Sequence, residues 1–392
     1  MGSVVGGLAG AASALFLWLL ERVIRLRMEH LWLVALLPAF GILSAWLYRR
    51  WGKEAEQGGA LILDEVLEFQ GRVPSRMAPL VLVSTLLTHL GGGSAGREGT
   101  AIQMGASLAR TLGKLPWPWL GLTESRQRLL LMAGVSAGFG SLFGTPVAGA
   151  IFGLEVIAIG KIHYEGLIIC ATASFVGDGI CRWLGAPHMH FHPVALVMSL
   201  PVGLKLAFFA VPVALVAGSF SELTHGIARW TRQRLSNPYL RAGLGGLAVI
   251  ALALSFRTTD YLNLGTIWLP RVFEATGSVP PWAFAVKFLF TVITLGFGFK
   301  GGEVTPLFVI GALLGATLAP VLGLPVPFLG AVGFIAIFAA ASNTPIASTL
   351  MGIELFGSSF AGPLVITCFL AYVLVGHRGI YGGHRIHTPK HT

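Results

Sequence analysis

Apolar residues in this chain run on without alternating polar positions. Stretches such as "VVGGLAGAASALFLWLL", "LWLVALLPAFGILSAWLY", "LAFFAVPVALVAG", "AFAVKFLFTVITLGFGF" and "PLVITCFLAYVLVG" recur from one end to the other. Apolar on all sides and up to a bilayer's thickness, they predict membrane-crossing helices. At roughly 20 residues per crossing, ten or more such helices fit the chain. Where the pattern breaks, glycine stands at the break. Three Gly-rich interruptions lead straight into an apolar helix: "EQGGALILDEVL" (56–67), "GGGSAGREGTAIQMGASLA" (91–109) and "FKGGEVTPLFVIGALLGATLA" (299–319).

Composition fits this pattern. Of 392 residues, 54% are hydrophobic and 11% charged, against about 25% charged in a soluble domain. The fold class is therefore all-α, polytopic and membrane-embedded. The first apolar run has neither a basic leader nor a small-residue cleavage site, and is read as a retained helix. The formal net charge of +10 sits at segment ends, which points to headgroups and loops and not to nucleic acid. "ERVIRLR" and "YRRWGK" flank the second run on both sides, so charge alone leaves orientation open. Cys170, Cys181 and Cys368 lie in or beside apolar runs without metal-ligand spacing and read as reduced core residues.

The chain also repeats itself. "FGTPVAGAIFGLEV" (143–156) aligns without gaps on "SNTPIASTLMGIEL" (342–355), matching Thr145, Pro146, Gly153 and Glu155 with Thr344, Pro345, Gly352 and Glu354. "GREGTAIQMGASLA" (96–109) aligns on "GEVTPLFVIGALLG" (302–315), and "LAGAASALFLWLLERVIRLR" resembles "VAGSFSELTHGIARWTRQRL" (216–235) in the same order. Two membrane repeats follow, 1–195 and 196–392. Duplicated halves with interrupted helices are typical of transporters, whose sites lie between broken helices near the bilayer midplane.

Each Gly-rich break starts a helix whose first N–H groups have no internal partner. Those donors and the positive end of the helix dipole form an anion site without a formal cation. Read blandly, the same glycines are packing contacts or exposed turns. Glu98 gives the break at 91–109 its chemistry. An intramembrane carboxylate is costly enough to be a functional candidate. At a helix start it can occupy the anion site itself, then leave when protonated. The competing reading is a simple pair with Arg97.

On these residues the chain resembles the CLC family of chloride channels and chloride/proton antiporters. "GREGTAIQMG" matches its G-R-E-G-P signature, "GGEVTPLFVIGALLG" stands at its G-x-F-x-P element, and "GTPVAGAIFGLEV" at its N-A-P-L-A-G…E-E helix. "GIYGGHRI" (379–386) falls at the family's pore tyrosine. The departures are specific. The signature proline is Thr100, the G-x-F-x-P aromatic is Val304, "GGALI" (58–62) replaces the chloride-binding serine loop, and the inner proton-accepting glutamate is Val156. G-R-E-G-T and G-G-E-V-T-P are similar to the family's bacterial fluoride/proton antiporter branch.

The resemblance implies a fold of two inverted repeats with tilted, broken and re-entrant helices, in a homodimer of independent pores and without a C-terminal regulatory domain. It implies fluoride and protons as transported ions, no cofactor, no metal, and a bacterial inner-membrane location with cytoplasmic termini. Glu98 becomes the gate and proton carrier. Gly96, Arg97, Gly99, Thr100, Ala60, Leu61, Glu303, Val304, Thr305 and Tyr381 become the anion-binding and pore-lining set, with Thr305 a hydroxyl donor to fluoride and Glu303 a second proton station.

Alternatives remain beside this. One is a chloride channel or chloride/proton exchanger with a diverged pore. Another, of a different class, is a membrane-embedded hydrolase, although the chain has no H-E-x-x-H. "HMHFHP" (188–193) has a metal-like spacing but reads as an interfacial loop. Glu155 and Glu354 read as caps of helix ends or of buried polar groups. Lys300 reads either as a charge at a pore mouth or as a snorkelling side chain. The basic tail "GHRGIYGGHRIHTPKHT" reads as a contact to anionic lipid.

Overall fold

The structure is a computed structural model and describes residues 1–115, 123–189, 191, 193–274, 277–382 and 384–390. Among these, the helices before residue 195 are α1 (Gly2–Glu29), α2 (Leu37–Trp51), α3 (Gly59–Leu67), α4 (Met77–Leu90), α5 (Glu98–Lys114), α6 (Glu124–Phe143), α7 (Pro146–Glu155) and α8 (Leu167–Trp183). Those after it are α9 (Leu200–Arg234), α10 (Pro238–Phe256), α11 (Leu269–Phe273), α12 (Ala283–Gly296), α13 (Val304–Leu322), α14 (Val326–Ser342), α15 (Pro345–Phe356) and α16 (Ala361–Leu374).

More than ten apolar helices are present among the described residues, but they are not all of crossing length. Among the described residues, six segments are long and apolar enough to cross: Gly2–Glu29, Leu31–Trp51, Tyr164–Trp183, Leu200–Arg234, Pro238–Phe256 and Val304–Leu322. The other apolar helices have 10–17 residues, too short to cross upright at a 1.5 Å rise per residue. Their ends explain why. α7 and α15 each begin on a Thr-Pro pair, where proline starts a helix but cannot continue the one before. α4 stops at Gly91 and α5 begins only after the Gly-rich loop.

α13 and α14 are buried nearly all round. They pack so closely that a side chain on Gly311 would place its Cβ 2.1 Å from the Gly333 carbonyl oxygen. α5 and α6 meet in the same way, with Gly105 against the Gly134 carbonyl at 2.2 Å. Gly105 and Gly311 occupy matching positions in the sequence repeat. Phenylalanines stack around these pairs: Phe139 of α6 on Phe152 of α7 at 4.0 Å and on Phe338 of α14 at 5.9 Å, and Phe308 of α13 on Phe334 of α14 at 4.3 Å between centroids. Cys170, Cys181 and Cys368 are free and buried.

The helices after the "TP" pairs cap each other. The Glu155 carboxylate accepts from the N–H groups of Ile346 and Ala347, at 3.0 and 2.8 Å, at the start of α15. Glu354 accepts from Val147 and Ala148, at 2.9 and 2.8 Å, at the start of α7. Both glutamates thus satisfy helix ends, and each does so for the other's helix.

The tail turns back onto the protein. β2 (Arg385–Ile386) pairs in parallel with β1 (Ala158–Ile159). Arg385 meets Glu68 at 2.5 Å, and Lys390 Nζ donates to Asn343 Oδ1, Tyr372 O and Gly376 O. These cations are spent on protein oxygens, which corrects the lipid-contact reading for Arg385 and Lys390.

Candidate anion site between two broken helices

The site forms where α5 and α13 start. Gly96 and Gly302 form an antiparallel bridge, N–H to O at 2.6 and 2.8 Å in the two directions. This brings the two Gly-rich breaks together. Gly96 has no room for a side chain, because a Cβ would lie 2.7 Å from Glu98 Oε2 and 2.9 Å from the Gly302 carbonyl.

Glu98 is the first residue of α5 and is fully buried. Its Oε2 accepts the backbone N–H of Thr305 at 3.0 Å and that of Arg97 at 3.1 Å. Oε1 accepts the Thr305 hydroxyl in a short hydrogen bond. The carboxylate therefore lies on the N-terminus of α13, where unpaired N–H groups and the helix dipole favour negative charge. Hydrogen bonds to ionised groups contribute roughly 1.5–3 kcal/mol each. Several together offset much of the desolvation of a buried carboxylate. Arg97 is a weaker partner, with its Nε 3.8 Å from Oε1 and making no hydrogen bond among the described residues. Glu98 is oriented by backbone N–H groups and the Thr305 hydroxyl, not by the Arg97 side chain.

Two cavities approach this carboxylate. One, of about 610 Å³, is lined by the C-terminal end of α1, residues 187–189 and Arg97. The other, of about 400 Å³, is lined by the C-terminal end of α2, Gly58, Ala60, Gly99, Gln103, Lys300, Glu303 and Tyr381. Arg97 faces one cavity and Gly99 the other, while Glu98 between them lines neither. The Tyr381 hydroxyl is buried and has no hydrogen-bond partner among the described residues. Glu303 and Glu98 both lie within electrostatic reach of it.

The candidate residues thus divide. Gly96, Arg97, Glu98 and Thr305 meet at the crossing point, and Ala60, Gly99, Glu303 and Tyr381 line one cavity. Thr100 turns away, its hydroxyl 2.7 Å from that of Thr85. Leu61 packs into the core on another face of α3, and Val304 is buried at the start of α13. Lys300 lines the cavity with its ammonium 4.2 Å from the centre of the Tyr48 ring. Gln103 went unremarked in the sequence, although its spacing of four from Gly99 places both on one helix face. His188 Nε2 lies 2.8 Å from the Ser141 carbonyl oxygen, and His190 and His192 fall outside the described residues. No group of metal-ligating side chains occurs among the described residues.

The sequence pattern of voltage-gated chloride channels matches residues 40–376. The chain belongs to the CLC family. It is 40% identical over 399 residues to a chloride/fluoride channel protein of Pseudomonas syringae pv. tomato, spanning 100% of this chain and 87% of that one. A voltage-gated ClC-type chloride channel of Salmonella typhi is 28% identical, over 92% of this chain and 88% of its own. Among solved CLC structures, a CLC-type fluoride/proton antiporter superposes with a TM-score of 0.94 at 36% identity, covering 98% of this chain and 96% of that one. A slow cyanobacterial Cl⁻/H⁺ antiporter shares the fold, with a TM-score of 0.79 at 21% identity over 97% and 95% of the two chains. This is the all-α CLC fold of tilted and broken helices.

Proposed function

We propose that this protein is a secondary-active fluoride/proton antiporter that exports fluoride at the expense of the inward proton gradient. One observation carries the reading: the Glu98 carboxylate sits on the backbone N–H of Thr305 at the α13 start. There it mimics a bound anion and separates two cavities. Protonation removes its charge and weakens its hold on the helix start. It then leaves, and a free anion takes the same donors. Return of the deprotonated carboxylate expels that anion. Fluoride is small and a strong hydrogen-bond acceptor, so N–H and O–H donors such as those of Thr305 replace its water. The relatives at 40% and 36% identity, one named for chloride and fluoride and the other for fluoride and protons, support fluoride as the cargo.

In this scheme Gly99, Ala60, Glu303 and Tyr381 line the route on one side of the gate and Arg97 lines the other, with Glu303 as a second proton station. Thr100, Leu61 and Val304 support it without touching the ion. The two halves, 1–195 and 196–392, are inverted copies whose breaks meet at Gly96 and Gly302. The exposed apolar faces of α8 and α16, with Ile168, Trp183 and Val365 at 84%, 80% and 47% exposure, form a homodimer contact, and lipid of the bacterial inner membrane covers the rest. Both termini lie in the cytoplasm.

The name of the Pseudomonas relative favours a second reading, a channel that passes fluoride without proton exchange. Liposomes of purified protein, loaded with fluoride or chloride while external pH is recorded, separate the two. Fluoride release with proton uptake supports the antiporter, and fluoride release without it supports the channel. Comparable chloride release removes the fluoride assignment.

A further inference from the structure

The loop that delivers Glu98 is held by a buried cation that no transport role has yet absorbed. Lys287 on α12 is fully buried. Its ammonium donates to Ser94 Oγ at 2.8 Å, the Tyr261 carbonyl at 3.0 Å and the Asn263 carbonyl at 2.8 Å. Its aliphatic stem runs over Gly265, whose missing side chain leaves the space: a Cβ there would lie 2.6 Å from Lys287 Cε. No carboxylate pairs with this ammonium among the described residues, although a buried charge without a counter-ion is costly.

The hydrogen-bond directions form one consistent chain. Thr291 Oγ donates to the Lys287 carbonyl at 2.9 Å, so its lone pairs face Ser94 Oγ at 2.8 Å. Ser94 therefore donates to Thr291 and accepts from Lys287. The Ser94 N–H donates to Thr294 Oγ at 3.1 Å. Lys287, Thr291 and Thr294 stand at positions i, i+4 and i+7, one face of α12, and all three address Ser94 or its hydrogen-bonded neighbour. Three oxygens converging on one nitrogen match the three donors of an ammonium. Ser94 lies four residues before Glu98 in the Gly-rich loop, whose glycines otherwise leave the backbone free.

We propose that Lys287 is a positioning residue of the transport cycle, an internal brace that fixes Ser94 so that Glu98 returns to the α13 start in register after each proton transfer. This rests on the antiporter reading, and Lys287 itself does not touch the ion.

The test compares wild type, Lys287→Met, Lys287→Arg and Ser94→Ala in proteoliposomes, recording fluoride flux against fluoride concentration together with protons moved per fluoride. Lys287→Met lowers the maximal flux by about tenfold or more and reduces protons per fluoride, with KM changed by less than about twofold, because a misplaced gate loses turnover before affinity. Lys287→Arg recovers part of both. Ser94→Ala, which keeps both carbonyl partners of the lysine, shows the same signature in weaker form and decides the matter where Lys287→Met does not fold. Wild-type flux and stoichiometry in Lys287→Met, or in Ser94→Ala where that variant decides, would overturn the brace, as would a change confined to KM. Hydrogen exchange in detergent micelles separates this proposal from the antiporter reading. If wild type carries no fluoride, the antiporter reading fails; faster exchange at amides 94–97 in Lys287→Met still supports the brace, and unchanged exchange there overturns it.

Discussion

Thr305 addresses Glu98 twice, with its backbone N–H to one carboxylate oxygen and its hydroxyl to the other. The two contacts are separable by mutation. Thr305→Val keeps the N–H and removes the hydroxyl; Thr305→Ser keeps both. We expect Thr305→Val to slow fluoride flux by roughly tenfold, the cost of one hydrogen bond to a charged group, and Thr305→Ser to stay near wild type. Initial rates of fluoride efflux from liposomes decide it. Equal rates in both variants would remove the hydroxyl from the anion's path.

Glu98→Gln keeps the shape of the side chain but neither ionises nor exchanges a proton at neutral pH. Proton uptake coupled to fluoride release should fall to background in this variant, while the protein stays monodisperse. A pH electrode outside fluoride-loaded liposomes makes the measurement. Proton movement at the wild-type ratio would assign the gate elsewhere.

Close approach at the bridge between the two breaks leaves a steric signature. Gly302→Ala drives a methyl toward the Gly99 N–H at 2.8 Å, where backbone must move. Its transport should drop by about tenfold or more, with thermal stability lowered by about 1–3 kcal/mol. Gly7→Ala is the control, since nothing lies within 4 Å of a Cβ there. Similar behaviour of the two variants in a thermal-shift and flux comparison would contradict the geometry.

The crossed glutamate caps predict unequal losses. Glu155 is 7% exposed, whereas Glu354 lies at an exposed position. Alanine at 155 leaves two N–H groups of α15 without their carboxylate and should cost about 1–3 kcal/mol. Alanine at 354 should cost less, because Glu354 and Val147 lie at exposed positions and their hydrogen bond is less desolvated. Thermal unfolding in detergent ranks the two. The reverse order would mean that burial does not set the cost of these caps.

Tail docking should depend on pH at its acid end. The Arg385 guanidinium beside Glu68 holds that carboxyl below its ordinary value of 4.5. A depressed carboxyl pKa stabilises the docked tail above the ordinary value, and the contribution is lost as pH falls through the docked value. Proteolysis of residues 377–390 by an acid-active protease should therefore accelerate as pH falls below the ordinary carboxyl value. Glu68→Gln should remove that pH step. A pH step that persists in Glu68→Gln would place the switch on another group.

The crossing point was legible in the sequence because its chemistry is contiguous. Gly96, Arg97 and Glu98 stand together, and Thr305 follows its own glycines closely, so local motifs carry both helix starts. Side-chain direction was harder to read. Ala60 and Leu61 are neighbours in one loop motif, yet the first lines the cavity and the second enters the core, because successive residues of a helix diverge by about 100°. Thr100 resembles a site hydroxyl until Thr85, one helix earlier, takes it. Lys287 was hidden for a different reason. A lone cation in "AFAVKFLFTVITLG" reads like any snorkelling lysine, and Ser94, its partner, lies 193 residues away.

The exchange of caps between α7 and α15 also bears on how the chain is made. The α7 amides of Val147 and Ala148 find their acceptor in Glu354, more than two hundred positions later. Until residue 354 has been translated, these α7 donors lack the carboxylate that they meet in the finished fold. Only when residue 354 emerges, and α15 turns back to offer its own start to Glu155, do both ends close. The first half is thus synthesised in debt to the second, and its completion is a late event of assembly.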